Sequence, residues 1–139
     1  MANNGFHGDI SPKAAWEALV SDPKAILLDV RTVAEWSFVG NPDLSSTGKP
    51  VLQIEWVKFP GMARNPAFVE EFKAAAIGKQ QPVYIICRSG VRSKAAAELL
   101  AAEGYETYNV ADGFEGQLSP DGHRGVGGWR ALGLPWKQS

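Results

Sequence analysis

Along this chain the spacing of apolar positions changes period several times, and each change predicts an element. Ser11-Pro12 reads as an N-cap followed by proline at the first helical position, and Ala15, Trp16, Leu19 and Val20 then fall on one stripe. This predicts a helix from Pro12 to about Ser21, ended at Asp22-Pro23 because the residue before proline is pushed out of the α region. Ala25 to Val30 is a nearly continuous apolar run holding one polar residue, Asp29, which is the look of a central strand covered on both faces. Thr32 to Trp36 suits a short helical turn, and residues 40–50 are dense in turn formers and predict a long loop. Val51 to Trp56 reads as another strand, Phe59 to Met62 as a turn, and Pro66 to about Ala76 as a helix with Phe68, Val69, Phe72 and Ala76 on one side.

A break at Gly78 to Pro82 precedes the β-rich run Val83-Tyr84-Ile85-Ile86, then the heptapeptide Cys87-Arg88-Ser89-Gly90-Val91-Arg92-Ser93, then an alanine- and leucine-rich helix over Lys94 to Glu103 with Gly104 as its C-cap. Thr107 to Val110 reads as a last short strand. A glycine-rich stretch leads from there to a short helix within Gly128 to Trp136. Strands alternating with helices imply βαβ units, and the expected class is α/β: a mostly parallel sheet of about five strands, with Phe6 to Asp9 supplying the first, and helices on both faces. No internal repeat or linker is visible, and 139 residues make about one domain, here residues 1–139.

Composition narrows what such a domain does. The chain is 45% hydrophobic and 21% charged with a net charge of -1, so it lacks the basic excess that neutralises nucleic-acid phosphates. No apolar run approaches the roughly 20 residues that span a bilayer, and the N-terminus has neither a basic nor an apolar leader region, so no membrane partner is expected. One cysteine cannot form an internal disulfide, which points to the cytoplasm.

That cysteine sits where chemistry is expected. At the start of a strand-loop-helix turn, Cys87 faces backbone N–H groups and the positive end of a helix dipole, both of which favour thiolate over thiol. Gly90 lets successive N–H groups converge as an anion nest, and Arg88 and Arg92 add fork-shaped cationic donors suited to sulfonate, sulfate or phosphate. Asp29 and Arg31, at the C-terminal end of their strand, belong on the same rim if the two strands run parallel. Arg31 reads equally as a member of a surface ion pair, and Asp29 as a structural hydrogen-bonding residue. His7 and His123 read as surface residues, and no metal or cofactor is called for.

Two chemistries use a cysteine in such a loop: attack on phosphorus, with five residues between cysteine and arginine, and attack on sulfane sulfur. Here four residues separate Cys87 from Arg92, a smaller cradle matched to a single sulfur atom. At this point the chain resembles the rhodanese family of sulfurtransferases. Cys87 to Ser93 is similar to the family's active-site loop and first helical residue, and Leu28-Asp29-Val30-Arg31 with Glu35-Trp36 to its N-terminal signature. Asn109-Val110 through Gly113 to Gly128-Trp129 and Gly133-Leu134-Pro135 is similar to its C-terminal one. Residues 40–65 and 114–127 depart from the family pattern, and two readings stand for these additions, restriction or selection of substrate near the loop and, for the loop at 40–50, a plain surface insertion.

The resemblance implies a rhodanese-like fold and a ping-pong cycle. Cys87 acts as nucleophile and persulfide carrier, Ser89, Gly90, Val91 and Arg92 as the cradle with Ser93 as a further substrate-binding residue, Arg88 and Arg92 as contacts for an anionic donor such as thiosulfate, and Asp29 and Arg31 as supporting residues. The implied acceptor is cyanide or a cellular thiol, with a protein acceptor also open. Trp36, Trp56 and Met62 are candidates for the entrance or for the core. Two other readings remain at this stage: a phosphatase or arsenate reductase on the same fold, and a non-catalytic regulatory module.

Overall fold

The computed structural model describes residues 6–58, 61, 63–116 and 128–138. Five strands form one parallel sheet: β1 (Phe6–Ile10), β2 (Ile26–Asp29), β4 (Val51–Gln53), β7 (Val83–Ile86) and β8 (Thr107–Val110), in the spatial order β1-β8-β7-β2-β4. Every pairing in it is parallel. The central strands are apolar on both sides, so each face needs its own cover. Along β7, Val83 and Ile85 enter one core with Leu28, Phe68, Phe72, Ala96, Ala97 and Leu100, from the sheet and from helices α3 (Phe68–Ala74) and α4 (Val91–Ala102). Tyr84 and Ile86 enter the opposite core with Ala15, Leu19, Leu27 and Trp129, which involves α1 (Pro12–Ser21) and the short α5 (Gly128–Ala131). The expected α/β class, with helices on both faces, is what the chain adopts.

Local chemistry explains most boundaries. Ser11 accepts the Ala14 N–H at 3.0 Å and caps α1 as predicted. The far end of α1 and the turn after it are closed by Lys49, whose Nζ donates to the carbonyls of Leu19, Asp22 and Ala25 at 2.6–2.9 Å. Thr32 and Glu35 form a capping box that starts α2 (Val33–Phe38). The helix after the cysteine loop begins at Val91 rather than Lys94, because Gly90 at φ 104° turns the chain directly into it. The helix expected from Pro66 starts at Phe68, since the Asn65 side chain holds the Ala67 N–H in a turn.

Three further expectations are corrected. The strand predicted to reach Trp56 ends at Gln53, although Ile54 and Trp56 still donate to the carbonyls of Asp29 and Val30 at 3.1 and 3.2 Å. The long loop contains a two-residue strand, β3 (Asn41–Pro42), and a 3-10 turn at Ser45–Thr47. The terminal helix stops at Ala131, and the chain continues into β9 (Trp136–Lys137), which pairs antiparallel with β3. A separate small hairpin pairs β5 (Val57–Lys58) with β6 (Ala63–Arg64); of the turn expected at Phe59 to Met62, all but Gly61 lie outside the described residues, Met62 included.

Candidate active site

The C-terminal ends of four adjacent strands bring the site together. Asp29 of β2 stands in register with Ile86 of β7, and the Val30 N–H donates to the Ile86 carbonyl at 3.0 Å. The segment Asp29 to Arg31 therefore leaves the sheet beside Cys87, on the rim the sequence predicts. On the other side, Asn109 of β8 and Asp9 of β1 reach the same rim.

Cys87 is 1% exposed. Its Sγ receives the Gly90 N–H at 3.1 Å, and Ser93 Oγ lies 3.2 Å away. Both contacts come from the N-terminal end of α4, from its cap Gly90 and its first-turn Ser93; α4 is a helix of 12 residues whose free N–H groups and dipole lie at the sulfur's end. The electropositive end is supplied by backbone, so it does not depend on how the side chains move.

Behind the loop, residues 113–115 hold it by hydrogen bonds: the Phe114 N–H donates to the Cys87 carbonyl at 2.8 Å and the Glu115 N–H to the Arg88 carbonyl at 2.9 Å. Gly113, at φ 54°, lies so close that an added Cβ would collide with the Cys87 carbonyl oxygen and stand 2.7 Å from the Arg88 carbonyl group. Only glycine fits there.

The two loop arginines have different surroundings. Arg92 forks onto Glu35 through Nη1 at 2.7 Å and Nη2 at 2.9 Å. Burial pushes the Glu35 carboxyl up, but the Arg92 fork, the Thr32 N–H and the nearby Arg31 outweigh it and hold Glu35 below its ordinary range. Arg92 is likewise disfavoured as a cation by burial, yet Glu35 and the approach of Cys87 keep it above its usual value. Arg88 is more open, with 45% of its side chain exposed, and its Nε lies 3.1 Å from the nearly buried Glu115, while the Arg130 guanidinium approaches the same carboxylate at 3.9 Å.

Asp29 and Arg31 are not a surface pair. Both are fully buried, with Arg31 Nε 2.9 Å from Asp29 Oδ1, Nη2 2.7 Å from Oδ2 and 2.8 Å from the Gly40 carbonyl, and the guanidinium 4.5 Å from the centre of the Phe114 ring. They form a buried ion pair beside the loop, anchored to the Gly40 carbonyl. Of the entrance candidates, Trp56 is core, edge-on to Phe68 at 4.9 Å, and Trp36 is half-buried in α2. His7 is exposed and stacks on Tyr108 at 5.0 Å, and His123 lies outside the described residues. The insertion at 114–127 is described only through Gly116. Among the described residues no group of three or more His, Cys, Asp or Glu is placed to hold a metal.

Glu35, Asn109 and Asp9 were not singled out as site residues by the sequence. A signal existed for Glu35, since Thr32-x-x-Glu35 is a capping-box pattern that fixes the glutamate at the start of α2. Asn109 opens the segment similar to the family's C-terminal signature, which gives it no role by itself, and nothing local marks Asp9, whose partner Asn109 is 100 residues away.

The family described as the STR4 middle domain matches residues 7–139. This chain belongs to the rhodanese-like family. An uncharacterized protein of Rickettsia conorii is 35% identical over 130 residues, covering 93% of this chain and 96% of its own. The crystal structure of Rv0390 from M. tuberculosis superposes with a TM-score of 0.88 at 50% identity, over 96% of this chain and 99% of that one. The thiosulfate sulfurtransferase GlpE of Actinobacillus succinogenes is 26% identical over 91% of this chain and 87% of its own. Membership of this rhodanese-like group supports sulfur transfer as a family-level chemistry, with a sulfur donor and an acceptor as its general substrates.

Proposed function

We propose that this protein is a sulfurtransferase that carries sulfane sulfur on Cys87 from a small anionic donor such as thiosulfate to a thiol or cyanide acceptor. The observation that carries the reading is the Gly90 N–H aimed at Cys87 Sγ at 3.1 Å from the N-terminal end of α4, which supports an anionic sulfur. In the first half-reaction the thiolate attacks the outer sulfur of thiosulfate; an S–S bond to Cys87 forms, the bond to the sulfonate sulfur breaks, and sulfite leaves with the electron pair. The loop N–H groups then stabilise the persulfide as they did the thiolate. In the second half-reaction an acceptor thiolate or cyanide attacks the outer persulfide sulfur, and Cys87 departs as thiolate.

Within this reading Arg88 is the cation that meets the donor anion, because much of its side chain is open. Arg92, forked on Glu35, acts as fixed charge and as a tie between α4 and α2. Ser89 and Val91 complete the backbone cradle. The name of the GlpE relative supports thiosulfate as the first donor to try. With one cysteine in the chain the sulfur leaves to an external acceptor, a protein thiol included, and a cytoplasmic setting keeps that thiol reduced.

Intact mass before and after thiosulfate tests the proposal. The expected result is a gain of one sulfur atom that cyanide removes and that Cys87→Ser lacks. An unchanged mass with thiosulfate and with polysulfide, together with hydrolysis of a phosphate ester, would overturn it in favour of phosphatase chemistry.

A further inference from the structure

The arginines around the cysteine loop share their counter-charges unequally. Arg31 is matched by Asp29 and Arg92 by Glu35, each through two contacts at 2.7 and 2.9 Å. Arg88 and Arg130 instead share one carboxylate: Arg88 Nε stands 3.1 Å from Glu115 Oε2, and Arg130 Nη2 stands 3.9 Å from Glu115 Oε1. Among the described residues the first two pairs are neutral, and the group around Glu115 carries a surplus positive charge.

Glu115 uses up neither guanidinium. Its Oε2 accepts no aligned hydrogen bond, so Arg88 is held there by charge, and 3.9 Å is beyond hydrogen-bond length for Arg130. The side chains of Arg88 and Arg130 are 45% and 30% exposed, against 7% for Glu115. The carboxylate is the buried member and the cations are the open ones, which leaves N–H donors of both for a ligand arriving from solvent. The group is also tied to the reacting loop, since the Glu115 N–H donates to the carbonyl of Arg88, the residue after Cys87, at 2.9 Å. Arg130 is fixed from its other side: Nη1 donates to the Val39 carbonyl at 3.1 Å, and the guanidinium lies 5.7 and 5.4 Å from the centres of the Phe114 and Trp136 rings.

Two cations held this close repel unless negative charge lies by them, and Glu115 offsets only one of the two. Two planar forks of donors match an oxyanion head with several oxygens and two charges better than one fork does. We propose that Arg130 is a specificity-determining residue that joins Arg88 in holding the sulfonate head of a dianionic sulfur donor, with Glu115 keeping the two guanidiniums together. The role rests on Cys87 transferring sulfur: thiosulfate enters with its head on the two arginines, its outer sulfur bonds to Cys87, and the head leaves as sulfite, still a dianion. Removing one cation costs a dianion about twice the free energy that it costs a monoanion, so the fold-change for the dianion is about the square of the other.

Steady-state kinetics of the full chain with cyanide as acceptor test this, using thiosulfate and the monoanion methanethiosulfonate as donors. In a ping-pong cycle kcat/KM for the donor reports the donor half-reaction alone. Arg130→Met keeps an apolar stem against the two rings; it is expected to lower kcat/KM about tenfold for thiosulfate and about threefold for methanethiosulfonate, with kcat at saturating donor unchanged. Arg130→Lys restores the charge and is expected to recover most of the loss with thiosulfate. Equal falls for the two donors, or a lysine variant as poor as the methionine one, overturn the assignment, because a role confined to packing α5 does not read donor charge. Should both variants fail to fold, phenylglyoxal modification of the wild type, followed by peptide mass, decides. Sulfate is expected to slow modification at Arg88 and at Arg130 relative to chloride of equal ionic strength, and an unchanged rate at Arg130 overturns its role. That readout involves no sulfur transfer. Persulfide formation with Arg130 unprotected removes the role of Arg130 alone, and protection of both arginines without persulfide formation removes sulfur transfer alone.

Discussion

Replacing Arg31 by methionine probes the buried ion pair beside the loop. The arginine is fully buried, and its removal deprives Asp29 of contacts at 2.7 and 2.9 Å and the Gly40 carbonyl of one at 2.8 Å, while a flexible apolar chain refills most of the volume. A carboxylate without its counter-charge would then be fully buried, left with the backbone N–H of residue 31. Breaking one side of a buried pair costs about 3–5 kcal/mol, far more than the fraction of a kcal/mol typical of exposed pairs. With a urea slope of about 2 kcal/mol/M, the unfolding midpoint should fall by about 2 M. The companion variant Asp29→Asn with Arg31→Met removes the stranded charge but keeps an acceptor for the Arg31 backbone N–H, bonded to Asp29 Oδ1 at 3.1 Å in the wild type. It should recover at least half of the loss. Urea unfolding followed by tryptophan fluorescence measures all three proteins. A loss below about 1 kcal/mol in the single variant, or a double variant no more stable than the single, would refute the account of these two residues as mutually dependent buried charges.

Two other outcomes follow from the geometry. Gly113→Ala places a methyl against the Cys87 and Arg88 carbonyls at a backbone of φ 54°, so the loop must move; alkylation of Cys87 at fixed pH should change several-fold while the far sheet edge keeps its amide-exchange protection, and an unaltered alkylation rate would contradict the close packing. Glu35 has a folded pKa below its ordinary 4.5, so its pairing with Arg92 stabilises the fold fully above that value, and the contribution is lost as pH falls through the lowered folded value. Glu35→Gln should therefore flatten the acid limb of the stability-pH curve below about 4.5 and leave its slope near pH 7 unchanged, which urea midpoints across pH would check.

How far the sequence foretells this molecule depends on how local each determinant is. The β7-loop-α4 unit is legible because apolar run, glycine turn and alanine-rich helix lie within 20 residues of one another, and parallel strands then put Asp29 and Arg31 on the same rim. The burial of that pair is not legible, since it depends on Gly40 and Phe114 closing over it from two separate segments. The pairing of Asn109 is similarly opaque: Asn109-Val110 opens a segment similar to the family's C-terminal signature, but its partner Asp9 is 100 residues away along the chain. Arg92 reads from the sequence as a contact for the donor anion, and the structure adds what the sequence does not show, its guanidinium fork on Glu35 of α2. The short strand β9 escaped because its pairing partner is itself only two residues long and lies inside a turn-rich stretch.

The β3–β9 pair gives the C-terminal end a mechanical role. Trp136 packs where Gly40 has no side chain, so closely that a Cβ there would stand 2.8 Å from the ring, and the carbonyl of the same Gly40 holds Arg31. Tension applied beyond Gln138 meets the Gln138 side chain's bond to the Phe38 carbonyl and then the two antiparallel residue pairs of β3 and β9, which belong to a sheet separate from the five-stranded one. A surface tether or bulky fusion attached at that end thus pulls, through Gly40, on the ion pair beside the cysteine, while a tether at a residue remote from the clasp leaves that pair unloaded.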